Sequence, residues 1–137
     1  MMLTHHNLKI ELPDSWWAEA EMAGFVPQRR AFRPDRRAER GVEVFEASIE
    51  DVAPLERAPG VGIFNDNAQA TARERVVRIL RDFREDVEIW PIHLVKLAPG
   101  AKFRYRIGHG SHRFYCSLAA GFSHVQAFEG YDFSGPI

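Results

Sequence analysis

The sequence predicts an α+β domain in which helices pack on a small mixed sheet. Two kinds of hydrophobic spacing carry this prediction: short segments alternate apolar and polar residues, as strands do, and one longer segment repeats apolar residues every three or four positions, as helices do. From residue 42 onward these segments follow the order strand, helix, strand, strand, helix, strand, which is typical of an α+β domain. A chain of 137 residues has room for one hydrophobic core.

Composition narrows the class of protein further. A hydrophobic fraction of 45% and an aromatic fraction of 12% predict a folded globular protein. The net charge of −1 creates no overall field that would attract nucleic acid. The single cysteine, Cys116, cannot form an internal disulfide, and no apolar run approaches the length of a membrane span. We therefore expect a soluble, cytoplasmic protein that does not bind membranes.

Residues 1–40 are predicted to form an extension made of a strand, a helix and an arginine-rich loop. The alternation in Leu8–Leu12 predicts a short strand. Asp14 is the expected N-cap of a helix that continues to Gly24, because it follows the breaker Pro13.

Four residues of this extension are candidates for contacts or ligands. His5 and His6 lack an acidic or cysteine partner at metal-ligand spacing, so we expect a frayed terminus there. Trp16 and Trp17 are adjacent and cannot face the same side of a helix. One of them is expected to pack on the core, and the other to be partly exposed or to mark a contact surface.

The segment 28–40, QRRAFRPDRRAER, contains six arginines. A charge run of this kind predicts a solvated loop. The alternative is a contact with the phosphate backbone of nucleic acid through Arg29–Arg40, since arginine clusters bind phosphates without reading bases. With only Phe32 interleaved among the arginines, the pattern favours the solvated loop.

The remaining elements follow from spacing and from breakers. In order, they are a strand opening at Val42 and continuing as a buried edge through Ile49 and Val52, a helix over Ala70–Arg84, strands over Pro91–Leu97 and Phe103–Ile107, a helix from Ser111 to Gly121, and a strand over Val125–Phe128. His93, within the second of these strands, is expected to face solvent or a neighbour rather than a ligand. The tail after Tyr131 is expected to be loosely held.

The turn between the strand Phe103–Ile107 and the helix that begins at Ser111 carries the functional prediction. Gly108 and Gly110 permit a tight turn, and Ser111 is the expected N-cap of the short helix that follows. The N-terminus of a helix points free amides and the positive end of its dipole at one place, where anions bind. His112 and Arg113 add side-chain donors, so the turn predicts a phosphate pocket. The alternative is a capped helix that binds nothing.

The segment Gly110–Gly121, GSHRFYCSLAAG, resembles the nucleotide-binding box of the ParB N-terminal domain, a GERR motif followed by an alanine-rich helix ending in AG. It also resembles the GCHR box of sulfiredoxin, which follows a strand with alternating aromatics as Phe103 and Tyr105 do here. Free serine kinases share this architecture. The resemblance covers roughly residues 42–129 and implies a ParB/sulfiredoxin-like domain over residues 41–131, with a tail over 132–137.

In these families the turn and the helix start bind nucleotide phosphates. The resemblance therefore implies a nucleotide, ATP, ADP or CTP, bound together with Mg²⁺. The resemblance also places the nucleotide near the loop after the first strand, which carries Arg57, and near the long helix, which carries Arg75. The candidate binding residues are Gly110, Ser111, His112, Arg113, Arg57 and Arg75. The resemblance also implies a carboxylate near the nucleotide, from Glu46, Glu50 or Glu56, while no catalytic residue is identified.

One departure from the pattern limits the activity. Ser111 replaces the sulfiredoxin cysteine, and because an alcohol is a far weaker nucleophile than a thiolate, no sulfinic acid reductase activity is expected. The first hypothesis is a nucleotide-binding domain, as a phosphotransferase or nucleotide hydrolase, in which His112 and Arg113 neutralise developing charge. The alternatives are a non-catalytic module that binds a protein partner or a second copy, and a ParB-like nuclease.

Overall fold

The computed structural model describes residues 1–35, 42–59 and 61–130. It confirms an α+β fold made of two sheets and three helices. The elements in chain order are β1 (Met2–His5), β2 (Leu8–Glu11), α1 (Asp14–Glu19), β3 (Val44–Ser48), a 3₁₀ turn (Ile49–Asp51), α2 (Ala72–Arg84), β4 (Ile92–Lys96), β5 (Tyr105–His109), α3 (Ser111–Ala120) and β6 (His124–Glu129). From β3 onward, the predicted order of strands and helices is confirmed.

The main sheet has four strands in the order β3-β6-β4-β5. The outer pairs, β3 with β6 and β4 with β5, are antiparallel, whereas the central pair of β4 and β6 is parallel. The sheet is therefore mixed, as predicted. Because β5 is an edge strand and leads directly into α3, the turn between them lies at the border of the sheet.

The N-terminus is ordered by a hairpin that the sequence did not predict. Strand β1 pairs with β2 in an antiparallel register that places His5 opposite Leu8. His5 is buried, its Nε2 donates to the Ile49 carbonyl at 3.1 Å, and its Nδ1 lies 3.2 Å from the Tyr115 hydroxyl. The expectation of a frayed terminus is wrong, because the buried imidazole joins the hairpin to the core.

Helix α1 is shorter than predicted and begins differently. Pro13 occupies the N-cap position, Asp14 is the first helical residue, and the helix ends at Glu19. The carboxylate of Asp14 instead accepts a hydrogen bond from the N-terminal ammonium group of Met1 at 2.6 Å. Trp16 and Trp17 are both half-buried and packed against the core, so both share the packing and the partial exposure that were expected of one each.

Helix α2 forms because its two ends and one face are specified locally. Thr71 and Glu74 form a reciprocal capping box, in which each side chain binds the backbone amide of the other residue. The apolar stripe of the helix turns toward the core. Its buried members are Ala72, Val76, Val77, Leu80 and Phe83. The predicted helix is confirmed, with a start two residues later than expected.

One hydrophobic cluster joins all of these elements. It includes Ile10 of the hairpin, Leu80 of α2, Leu94 of the sheet and Phe114 of α3. The side chains of the predicted extension therefore share the core of the four-stranded sheet. The tail predicted to be loosely held lies outside the described residues. Every described helix is too short or too polar to cross a membrane.

Candidate anion-binding site

The site begins at the corner where β5 gives way to α3. Gly110 occupies the N-cap position with a φ of +106°, a left-handed conformation that favours glycine. Ser111 is the first helical residue, one position after the N-cap. The expectation that Ser111 is the N-cap is therefore wrong. The first three amides of the helix, from Ser111 to Arg113, have no intrahelical acceptor, as at any helix start.

An open cavity of about 530 Å³ lies at this corner, and all six predicted binding residues line it. The six are Gly110, Ser111, His112, Arg113, Arg57 and Arg75. The sequence thus brought together residues from three separate segments: the loop after β3, helix α2 and the turn before α3. The lining contains three arginines and no carboxylate, so the charge of the cavity favours an anion.

Arg113 folds back over the turn. Its Nη1 donates to the Trp90 carbonyl at 3.0 Å, and a Cβ at Gly110 would lie 2.7 Å from its Nη2. Gly110 is therefore favoured by its backbone conformation, and a Cβ there would also displace the end of the Arg113 side chain. Burial lowers the pKa of Arg113 to about 10, which leaves the side chain cationic at neutral pH. It remains one of the cavity's charges while bound to the Trp90 carbonyl.

His112 is a structural acceptor rather than a cation. Its side chain is only 5% exposed, and its Nε2 accepts the Asn65 amide at 3.1 Å. Burial, and next the charge of Arg75, lower the pKa of His112 to about 4. The imidazole is therefore neutral at pH 7, and the expectation that His112 neutralises negative charge is wrong. Its role is to attach the segment around Asn65 to the start of α3.

The other two arginines differ in how they are held. Nη1 of Arg75 donates to the backbone carbonyl of Asn65 at 3.0 Å and to its side-chain oxygen at 3.1 Å. Arg57 is exposed and has no hydrogen bond or ion pair to any described residue. Arg75 is thus a positioned charge, whereas no described residue holds the guanidinium of Arg57.

The cavity has six further lining residues that were not predicted to bind a ligand, and His109, Leu55 and Asn65 are among them. His109 ends β5, and burial, followed by the charge of Arg113, lowers its pKa. Its place two residues before Ser111, within the GHGSHR motif, was the signal that could have identified it. Leu55 and Asn65 carry no such signal, because their backbone amides are placed by long-range bonds to Tyr115 and His112.

The carboxylates predicted near the nucleotide are not among the lining residues. Glu46 lies on β3, at the opposite edge of the sheet, where its oxygens accept hydrogen bonds from Arg30 at 2.5 Å and Gln126 at 3.1 Å. Glu50 lies in the 3₁₀ turn beside His6. Among the residues that the structure describes, no group of three or more His, Cys, Asp or Glu side chains could hold a metal ion.

The described arginines of segment 28–40 are engaged within the chain. Ion pairs join Arg29 to Asp86 at 3.4 Å and Arg33 to Glu88 at 3.3 Å, in addition to the Arg30 contact on β3. These pairs reduce the charge that this surface offers to a phosphate backbone. Arg36, Arg37 and Arg40 lie outside the described residues, so the predicted contact of Arg29–Arg40 with nucleic acid remains a prediction.

Comparison with known proteins does not assign this chain to a family. No family model, no curated protein and no solved structure matches this chain. The resemblance to the ParB and sulfiredoxin domains therefore stays a prediction carried by the GSHRFYCSLAAG segment, and the site is interpreted from its own geometry.

Proposed function

We propose that this chain binds a phosphate-bearing ligand, of the nucleotide class, in the cavity between β5, α2 and α3. The observation that carries the proposal is the lining of that cavity: three arginines, no carboxylate, and the N-terminal amides of a ten-residue helix. Helix amides and arginines are the groups with which proteins bind phosphate oxygens. The resemblance of the Gly110–Gly121 segment to nucleotide-binding boxes supports the same ligand class.

The proposal concerns binding. Phosphoryl transfer requires a metal ion or positioned cations and a group that orients the nucleophile. The cavity supplies the cations, but its lining has no carboxylate that could hold Mg²⁺ or act as a base. Phosphotransferase, nucleotide hydrolase, nuclease and interaction-module functions remain predictions, and no contact among the described residues favours one of them.

Replacing Arg75 or Arg57 by glutamine is expected to weaken ligand binding about 10- to 100-fold, because each loses a charge-assisted contact to phosphate. Isothermal titration calorimetry with ATP, ADP and CTP, with and without Mg²⁺, and with inorganic pyrophosphate measures this loss. Arg57→Gln is the cleaner variant, because Arg57 has no bond to a described residue that its loss would break.

Arg78→Gln is the matched control, since Arg78 lies on the same helix as Arg75 but outside the cavity lining. It is expected to bind as the unmodified protein does. If none of the four ligands binds the unmodified protein, or if Arg78→Gln weakens binding as much as Arg57→Gln, the proposed site is wrong.

Binding of sulfate is expected to tighten about threefold as the pH falls from 8 to 6. Burial, and next the charges of Arg113 and Arg75, lower the pKa of His109 below its ordinary value, so the free site holds a neutral imidazole at pH 7 and above. A bound anion favours the protonated form and raises that pKa, so binding takes up protons. Sulfate is the suitable probe because its own charge stays constant over this range, unlike that of phosphate.

Calorimetry in two buffers of different ionisation enthalpy measures the proton uptake directly. His109→Gln is expected to bind sulfate with the same affinity at both pH values and without proton uptake. An unchanged pH dependence in His109→Gln would show that another group takes up the proton.

A further inference from the structure

A second cavity borders the candidate site and is made by the N-terminal extension. It has a volume of about 460 Å³ and lies between β2, α1 and the segment after Arg57. Its apolar wall comes from Ile10, Pro13, Trp16, Val61 and Phe64. The wall of this cavity is mainly apolar and aromatic, whereas the first cavity is lined by three arginines.

Two residues connect the cavities. Arg57 lines both of them, so its guanidinium lies within reach of ligands in either. Phe64 stands between their walls: its ring lies 5.6 Å from the ring of His112 on one side and 6.4 Å from that of Trp16 on the other. The two cavities are therefore neighbours that share Arg57.

Building on the proposed phosphate site, we propose that the ligand is a phosphate ester of a flat aromatic group, and that this group binds in the cavity formed by Trp16, Val61 and Phe64. The rings of Trp16 and Phe64 meet edge to face at 62°, and both line the cavity, so each adds aromatic surface against which a flat ring can pack. Lys9 and Glu11 also line the cavity, and they offer an ammonium donor and a carboxylate acceptor to polar atoms at the edge of such a ring. Arg57 binds the ester between the two parts.

The affinities of inorganic phosphate, phenyl phosphate and AMP, measured by isothermal titration calorimetry, test this inference. Phenyl phosphate and AMP are expected to bind at least about tenfold more tightly than inorganic phosphate, since burial of an aromatic ring exceeds 1.4 kcal/mol. Trp16→Ala is expected to abolish this difference and to leave the affinity for inorganic phosphate within about twofold. Thermal unfolding of Trp16→Ala verifies that the variant is folded.

A second pair of variants, at exposed positions, tests the same inference with less risk of unfolding the protein. Val61 is 51% exposed and lines the cavity, whereas Val26 is 73% exposed and lies in neither cavity. Val61→Asn is expected to weaken phenyl phosphate binding, while Val26→Asn leaves it unchanged. If inorganic phosphate binds but phenyl phosphate and AMP bind no better, or if their advantage persists in both Trp16→Ala and Val61→Asn, this inference is overturned while the phosphate site stands. If inorganic phosphate and both esters fail to bind, both proposals fall.

Discussion

Acidification from pH 6.5 to pH 4 is expected to reduce the free energy of unfolding by about 3 kcal/mol through His112 alone. Burial and the neighbouring Arg75 lower the pKa of His112 from 6.5 to about 4 in the folded chain. Between these two values the unfolded chain binds more protons than the folded one, so stability falls as the pH falls and levels off below pH 4. A shift of this size corresponds to about 3 kcal/mol, at 1.36 kcal/mol per pH unit.

Urea unfolding at several pH values measures the expected slope. His112→Gln removes the titrating group while offering an oxygen to the Asn65 amide, so its stability is expected to vary much less with pH over this range. His124→Gln is the control, because His124 is a half-buried residue of β6 outside the cavity lining. An equal slope in the unmodified protein and in His112→Gln would contradict the assignment. His5 adds to the same trend, because burial lowers its pKa as well.

Tyr115→Phe is expected to destabilise the fold by about 2–4 kcal/mol, although it removes one oxygen atom only. The fully buried hydroxyl accepts the Leu55 amide at 2.9 Å and lies 3.2 Å from Nδ1 of His5, to which it donates. Because Nε2 of His5 donates to the Ile49 carbonyl, Nδ1 is free to accept. Phenylalanine would leave the part-buried Leu55 amide and the buried Nδ1 of His5 without this partner, at about 1–3 kcal/mol each.

Tyr105→Phe is the matched control for this change. Tyr105 is also buried, but its hydroxyl makes no hydrogen bond to the described residues, so its loss is expected to cost much less. Chemical denaturation of both variants gives the comparison. Equal destabilisation by the two substitutions would refute the role of the Tyr115 network. Because the Leu55 amide is part of the network and Leu55 lines the cavity, Tyr115→Phe is also expected to weaken phosphate binding.

The sequence predicted the α+β class, the mixed sheet and the residues that line one wall of the cavity. These features follow from local signals: apolar spacing in α2, paired glycines before α3, and Gly121 with a φ of +93° at its C-cap. The T-x-x-E pattern of Thr71 and Glu74 is a further local signal, which predicts a capping box and a helix start at Ala72 rather than Ala70.

What sequence could not reveal depends on contacts across long stretches of chain. The sequence around His5 predicts a solvated side chain, because its partner Tyr115 lies 110 residues later in the chain. In the same way, the sequence around His112 predicts a cation, because the Asn65 amide that its Nε2 accepts lies 47 residues earlier. The protonation state of a histidine is set by burial and by partners, and neither is encoded in its immediate neighbours.

Two side chains of helix α3 bind the two ends of the segment from Leu55 to Asn65. The Tyr115 hydroxyl accepts the Leu55 amide, and the His112 imidazole accepts the Asn65 amide. The stretch between these two anchors carries Arg57, Val61 and Phe64, and so contributes to both cavities. Substitutions at its exposed positions that keep both anchors are therefore expected to change the walls of both cavities while the helices and the sheet are retained.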